Sequence, residues 1–114
     1  MTQISTHVLD ISRGVPAAGV RVELLAAGAQ GEPWVRLALA TTDADGRAAG
    51  LAGPGGAQPG RHRLLFHAGE YQRGLADREA FLDDVCVGFT VSGEERLHIP
   101  LLLSPYGISI YRGS

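Results

Sequence analysis

A chain of 114 residues fits one domain, spanning residues 1–114, and is long enough to bury about two-thirds of its unfolded surface without covalent staples. The formal net charge of -2, from 10 basic against 12 acidic residues, supplies no basic field, so neither nucleic acid nor an anionic membrane is an expected partner. Cys86 is the only cysteine and cannot close an intrachain disulfide; flanked by Val85 and Val87, it reads as a structural thiol on a strand.

Short runs in which apolar residues recur every second position, separated by turn residues, mark β-strands. Residues 5–9 form the first such run. In the next, Val20, Val22 and Leu24 alternate with Arg21 and Glu23. Val35, Leu37 and Leu39 make another, ending before Asp43-Ala44-Asp45-Gly46, where Asp and Gly favour a turn. Residues 50–60, with Gly53-Pro54-Gly55-Gly56 and Pro59-Gly60, predict a loop and the most mobile part of the chain. A strand over 61–67 follows. Residues 70–81 change rhythm: good helix formers place Tyr71 and Leu75 four apart, which predicts one short helix. The remaining strands carry Val85, Val87, Phe89 and Val91, then Leu97, Ile99, Leu101 and Leu103, then residues 107–112. Strands spaced by turns with one inserted helix predict an antiparallel β-sandwich.

Strand periodicity also sorts the histidines, because successive side chains point to opposite faces. His98 is out of phase with Leu97, Ile99, Leu101 and Leu103, and His7 is out of phase with Ile4, Thr6 and Val8 but in phase with Gln3 and Ser5. Both imidazoles are therefore expected on an outer sheet face. His62 and His67 have no chemical partner nearby and read as ordinary exposed histidines. The Asp43–Gly46 stretch matches the start of a calcium loop, yet the downstream ligands are missing, since Arg47-Ala48-Ala49-Gly50 follows. A turn that presents Arg47, whose guanidinium suits a planar oxygen-rich substrate or a developing oxyanion, is the better reading. No third histidine or carboxylate has ligand spacing, so water activation ranks above metal binding. Nucleophile-elbow, phosphate-loop and dinucleotide motifs are absent, and Ser114 has no obvious triad acid.

Three segments together are similar to the 5-hydroxyisourate hydrolase branch of the transthyretin-like family. They are Ser5-Thr6-His7-Val8-Leu9-Asp10 with Gly14-Val15-Pro16-Ala17-Ala18-Gly19-Val20; Thr42-Asp43-Ala44-Asp45-Gly46-Arg47; and His98-Ile99-Pro100-Leu101-Leu102-Leu103-Ser104-Pro105-Tyr106-Gly107 through Tyr111-Arg112-Gly113-Ser114. The terminal Tyr-Arg-Gly-Ser separates the enzyme pattern from the hormone-carrying transthyretins. The chain departs from that pattern at Leu97, Ile108, Ile110 and Asp83-Asp84 while keeping its polar residues.

The resemblance implies a transthyretin-like sandwich of two four-stranded sheets, assembled as a homotetramer that is a dimer of dimers with active sites in the channel between them. It implies hydrolysis of 5-hydroxyisourate to 2-oxo-4-hydroxy-4-carboxy-5-ureidoimidazoline in urate breakdown, without a cofactor. His7, Arg47, His98 and Ser114 are the implied catalytic residues, and Tyr111 and Arg112 join His7, Arg47 and Ser114 in holding substrate. The alternative is a non-catalytic member that binds a small aromatic ligand in the same channel. Residues 1–7 show neither the basic nor the apolar region of a secretory signal, and no run approaches membrane-spanning length, so a cytoplasmic protein is expected.

Overall fold

The computed structural model describes residues 1–76 and 79–113. In chain order it forms β1 (Gln3–Asp10), β2 (Val15–Pro16), β3 (Arg21–Ala26), β4 (Val35–Thr41), β5 (Arg47–Ala48), β6 (Gly60–Phe66), α1 (Ala68–Ala76), β7 (Val85–Val91), β8 (Arg96–His98), β9 (Leu101–Ser104) and β10 (Gly107–Ile110). They build two sheets. One has the order β4-β3-β6-β7 and is antiparallel throughout. In the other, β1 is central, with β2 and β5 in succession along one side, β8 and β9 along the other, and β10 outside β9. Its segments thus occupy four rows, which is the expected four-stranded partner. Pairing in this sheet is mixed, because β1 runs parallel to β8 and β9.

Alternation sets the core. Along β1 the even positions Ile4, Thr6, Val8 and Asp10 are buried and the odd positions are half-buried. Ile4 and Val8 meet Leu97, Leu101 and Leu103 of the same sheet and Val22, Leu24, Leu64 and Phe66 of the other in one cluster. Each such large side chain contributes roughly 1.5–3 kcal/mol relative to exposure. The row formed by β8 and β9 breaks at Ile99-Pro100, where proline has no N–H to give the ladder. Side-chain and main-chain bonds bridge the gap: the Ile99 N–H donates to the Ser5 carbonyl (2.9 Å), and the Thr6 hydroxyl donates to the Ile99 carbonyl (2.6 Å).

The expected elements are present, with differences that have physical causes. Helix α1 begins two residues before the predicted start, and Glu79 to Phe81 are not helical; positions 77 and 78 of the predicted helix lie outside the described residues. The helix is docked by Tyr71, whose hydroxyl donates to Asp10 Oδ2 (3.0 Å), and by a two-bond Arg21–Glu70 pair (2.8 and 2.7 Å). The apolar set Val35, Leu37 and Leu39 faces solvent, while Ala38 and Ala40 pack on the core. Register dictates this, since Ala40 and Ala38 lie opposite the buried Val22 and Leu24. The loop over 50–60 is pinned rather than loose: Leu51 and Ala57 are buried, and Thr2 and Ala57 exchange both backbone hydrogen bonds (3.1 and 2.7 Å). His62 is buried and stacked on Phe89, and His67 bridges Glu23 (2.6 Å) and Asp84 (3.2 Å), so neither is the exposed histidine the sequence suggested. Cys86 is the reverse case, free and exposed on the outer face of β7.

Candidate active site

His7 and His98 reach one surface because β1 is shared. The parallel register sets Ser5 opposite His98, and the antiparallel register on the other side sets His7 opposite Arg47. Directly opposed residues share a face, so Ser5, His7, Arg47 and His98 all project outward from three adjacent rows. Both histidines are half-buried, as the phase of the sequence predicts.

The turn that delivers Arg47 is built from its own residues. Asp43 Oδ1 accepts from the backbone N–H groups of Asp45 and Arg47 (2.9 Å each), and Gly46 N–H donates to the Asp43 carbonyl (2.9 Å). Gly46 has φ 76, and a Cβ there would lie 2.4 Å from the Val8 carbonyl oxygen, so only glycine lets the turn sit against β1. Thr42 anchors the turn from below, donating to the Ala17 carbonyl (2.7 Å) and accepting from the Val20 N–H (2.9 Å).

Each imidazole is oriented by one ring nitrogen. Nε2 of His7 is 2.9 Å from the Asp45 carbonyl oxygen, and Nδ1 of His98 is 2.8 Å from Ser5 Oγ. Burial first, then the Arg47 charge and His7, hold the His98 imidazole below its usual range. A neutral imidazole at cellular pH follows, which is the form that accepts a proton from water. Arg47, facing the same surface opposite His7, sets a fixed positive charge beside the two imidazoles. Among the described residues no three His, Cys, Asp or Glu side chains converge as a metal site would require.

The family model described as "HIUase/Transthyretin family" matches residues 4–113, a span that includes all of these positions. The chain belongs to the HIUase/Transthyretin family. A curated 5-hydroxyisourate hydrolase of Caulobacter vibrioides is 44% identical, with 100% of each chain covered. The solved structure of Klebsiella pneumoniae 5-hydroxyisourate hydrolase superposes with a TM-score of 0.86 at 38% identity, again over 100% of both chains. Transthyretin from Sparus aurata shares the fold with a TM-score of 0.88 at 25% identity over 96% of this chain and 95% of that one. The full-length match to relatives named as hydrolases makes this member of the HIUase/Transthyretin family a hydrolase.

The C-terminal strip of this family member packs against the site through Gly113. The Gly113 N–H donates to the His98 carbonyl (2.7 Å), extending the β10 edge down to β8. A Cβ on Gly113 would lie 2.8 Å from His98 Cδ2, so the strip presses directly on the imidazole. Tyr111 and Arg112 line a groove of about 240 Å³ between the free edges of the sheets, with Val87, Phe89, Leu97 and Ile110. The structure therefore brings His7, Arg47 and His98 to one face and seats Gly113 on His98, whereas Tyr111 and Arg112 border a neighbouring groove; Ser114 lies outside the described residues. Ile108 and Ile110 lie opposite Leu103 and Leu101, Ile110 packing against the core and Ile108 exposed at the sheet edge, and Ser109 stands opposite Leu102. Sequence reasoning missed Ser5 as a partner of His98. The signal was its phase with His7, but its partner lies 93 positions away and only the parallel register joins them.

Proposed function

We propose that this chain hydrolyses 5-hydroxyisourate to 2-oxo-4-hydroxy-4-carboxy-5-ureidoimidazoline, in the breakdown of urate. The observation that carries the reading is the convergence of His7, Arg47 and a His98 kept neutral by burial and by Arg47 on one outer sheet face. The names of the full-length relatives supply the substrate. A water held between the two histidines gives a proton to His98 as its oxygen bonds to a ring amide carbonyl carbon. The carbonyl electron pair moves onto oxygen, beside the Arg47 guanidinium. Collapse of this adduct breaks the ring C–N bond, and the proton on His98 passes to the leaving nitrogen. His7 orients the water and carries no net proton in this sequence.

Tyr111, Arg112 and Ser114 hold the substrate from the C-terminal strip; the seating of Gly113 on His98 supports the nearness of the strip to the site, with Tyr111 and Arg112 reaching the substrate from the groove they border. The working form is a homotetramer in the cytoplasm. Ile11 (55% exposed), Val15 (40%) and Tyr106 (74%) support assembly, because they gather exposed apolar surface at one end of the site-bearing sheet. Freshly generated 5-hydroxyisourate provides the test through its ultraviolet signal. Decay accelerated by the protein at neutral pH is the expected result. Tight binding without acceleration would replace this reading with a transthyretin-like carrier, and light scattering that gives only monomer at micromolar concentration would remove the tetramer.

A further inference from the structure

The two imidazoles of the site are held by different ring atoms. A backbone carbonyl only accepts, so His7 Nε2 carries a proton and donates it toward Asp45. On His98 the engaged atom is Nδ1, 2.8 Å from Ser5 Oγ, and the Cδ2 side is covered by Gly113. Neither Ser5 nor Gly113 occupies the Nε2 and Cε1 side of the ring. If His98 is the base, that nitrogen must be bare, and the single proton of the neutral ring must then sit on Nδ1.

We propose that Ser5 is a positioning residue of the reaction: its Oγ accepts from the Nδ1–H of His98 and so fixes the tautomer that turns a bare Nε2 toward water. This rests on the reading of His98 as the base. Free imidazole in histidine favours the opposite tautomer, so a partner is needed to hold this one. Ser5 is placed for it by backbone register, opposite His98 and two residues from His7 on the same face. Its hydroxyl performs the orienting role that a carboxylate plays in a catalytic triad, without the negative charge that would raise the basicity of the ring. The other groups acting on His98 are Arg47 on β5 and His7 on β1, both of which oppose its protonation. A neutral acceptor therefore keeps the base unprotonated at cellular pH and still stabilises the imidazolium during turnover.

The test is side-chain nitrogen NMR on the whole chain labelled with ¹⁵N histidine, at about pH 8, above the imidazole range, with His98→Asn identifying the signals. The expected spectrum shows a pyridine-type Nε2 and a pyrrole-type Nδ1 for His98. Ser5→Ala should shift the ring toward the other tautomer and lower kcat about 10- to 100-fold with KM little changed, the scale of one hydrogen bond to a charged group. Ser5→Thr, which keeps the hydroxyl on a strand-compatible side chain, should restore both. Ser5→Asp should move the acid limb of kcat/KM to higher pH. A wild-type spectrum with the proton on Nε2, or a Ser5→Ala enzyme with unchanged kcat, overturns the proposal. The spectrum needs no substrate, so correct tautomer without turnover would sink the proposed hydrolysis alone, and turnover with the wrong tautomer would sink only the role of Ser5.

Discussion

Gly113→Ala adds one methyl group at the point where the C-terminal strip presses on His98. The new Cβ would sit 2.8 Å from the ring Cδ2 and 3.3 Å from the His98 carbonyl oxygen, both inside the 3.4 Å at which ordinary contact begins. The ring must swing by about 0.6 Å, or the strip must lift and give up its 2.7 Å hydrogen bond. Displacements on the order of 1 Å at a reacting group cost about 10²-fold, so a kcat lower by roughly 10- to 100-fold is expected. That is a barrier higher by about 1.4–2.7 kcal/mol. Stability should barely move. The residue lies at the end of the described chain, its φ is not in the left-handed region, and the buried Leu97, Leu101 and Leu103 are untouched. The assay pairs initial rates on 5-hydroxyisourate with a thermal melt; a change of less than ~2 °C in Tm beside the kinetic loss is the expected outcome. Wild-type kcat/KM in Gly113→Ala would show that the exact seat of the His98 ring is irrelevant to turnover.

His7→Asn and His98→Asn should each reduce kcat by ~10²–10⁴ with Tm nearly unchanged, because both rings leave the core; large melting shifts with full activity would make them structural. Because the His98 pKa is lowered, kcat/KM should hold near neutrality and fall on an acid limb below ~6.5. Stability has the same sign: in that window the unfolded chain binds more protons, so the His98 contribution is complete above ~6.5 and is lost as pH falls through its folded pKa. A limb that His98→Asn leaves in place would point to another group. Gly46→Ala should lower stability by on the order of 2–3 kcal/mol in urea melts, through its left-handed φ and its clash with the Val8 carbonyl. It should also impair turnover by shifting Arg47, and a neutral melt would contradict the geometry of that turn.

The phase of an apolar run is readable when the opposite phase is polar. Leu97, Ile99, Leu101 and Leu103 against His98 is such a case, as is Ile4, Thr6 and Val8 against His7, and both histidines lie on the face so read. β4 is not, because Leu37 and Leu39 alternate with the apolar Ala38 and Ala40, and only pairing with β3 decides which set turns inward. The same limit applies to Ile108 and Ile110, whose face is set by β9. Local composition marked residues 50–60 as loose, but their anchors Ile4 and Thr2 lie far away along the chain. Burial of His62 depends on Phe89 across the sheet, and the Ser5–His98 pair depends on a parallel register that no local pattern announces. Turn chemistry around Asp43 and Gly46 was legible for the opposite reason: the hydrogen bonds that Asp43 makes to Asp45, Gly46 and Arg47 close within four residues.

The position of β1 at the centre of its sheet also orders the folding of the chain. The sheet β4-β3-β6-β7 draws on residues 21–91 and closes through neighbouring segments. The site-bearing sheet instead requires residues 3–10 to find residues 96–104, the longest search the molecule makes. Sandwich formation is thus expected to start in the sheet without the site, and the catalytic face to be the last surface completed and the first lost. Pulse-labelling hydrogen exchange during refolding should protect Val22 and Leu64 amides before those of Ser5 and Leu102, and simultaneous protection would argue for a single closing event. A protein of this design can keep most of its strand content while holding no assembled active site.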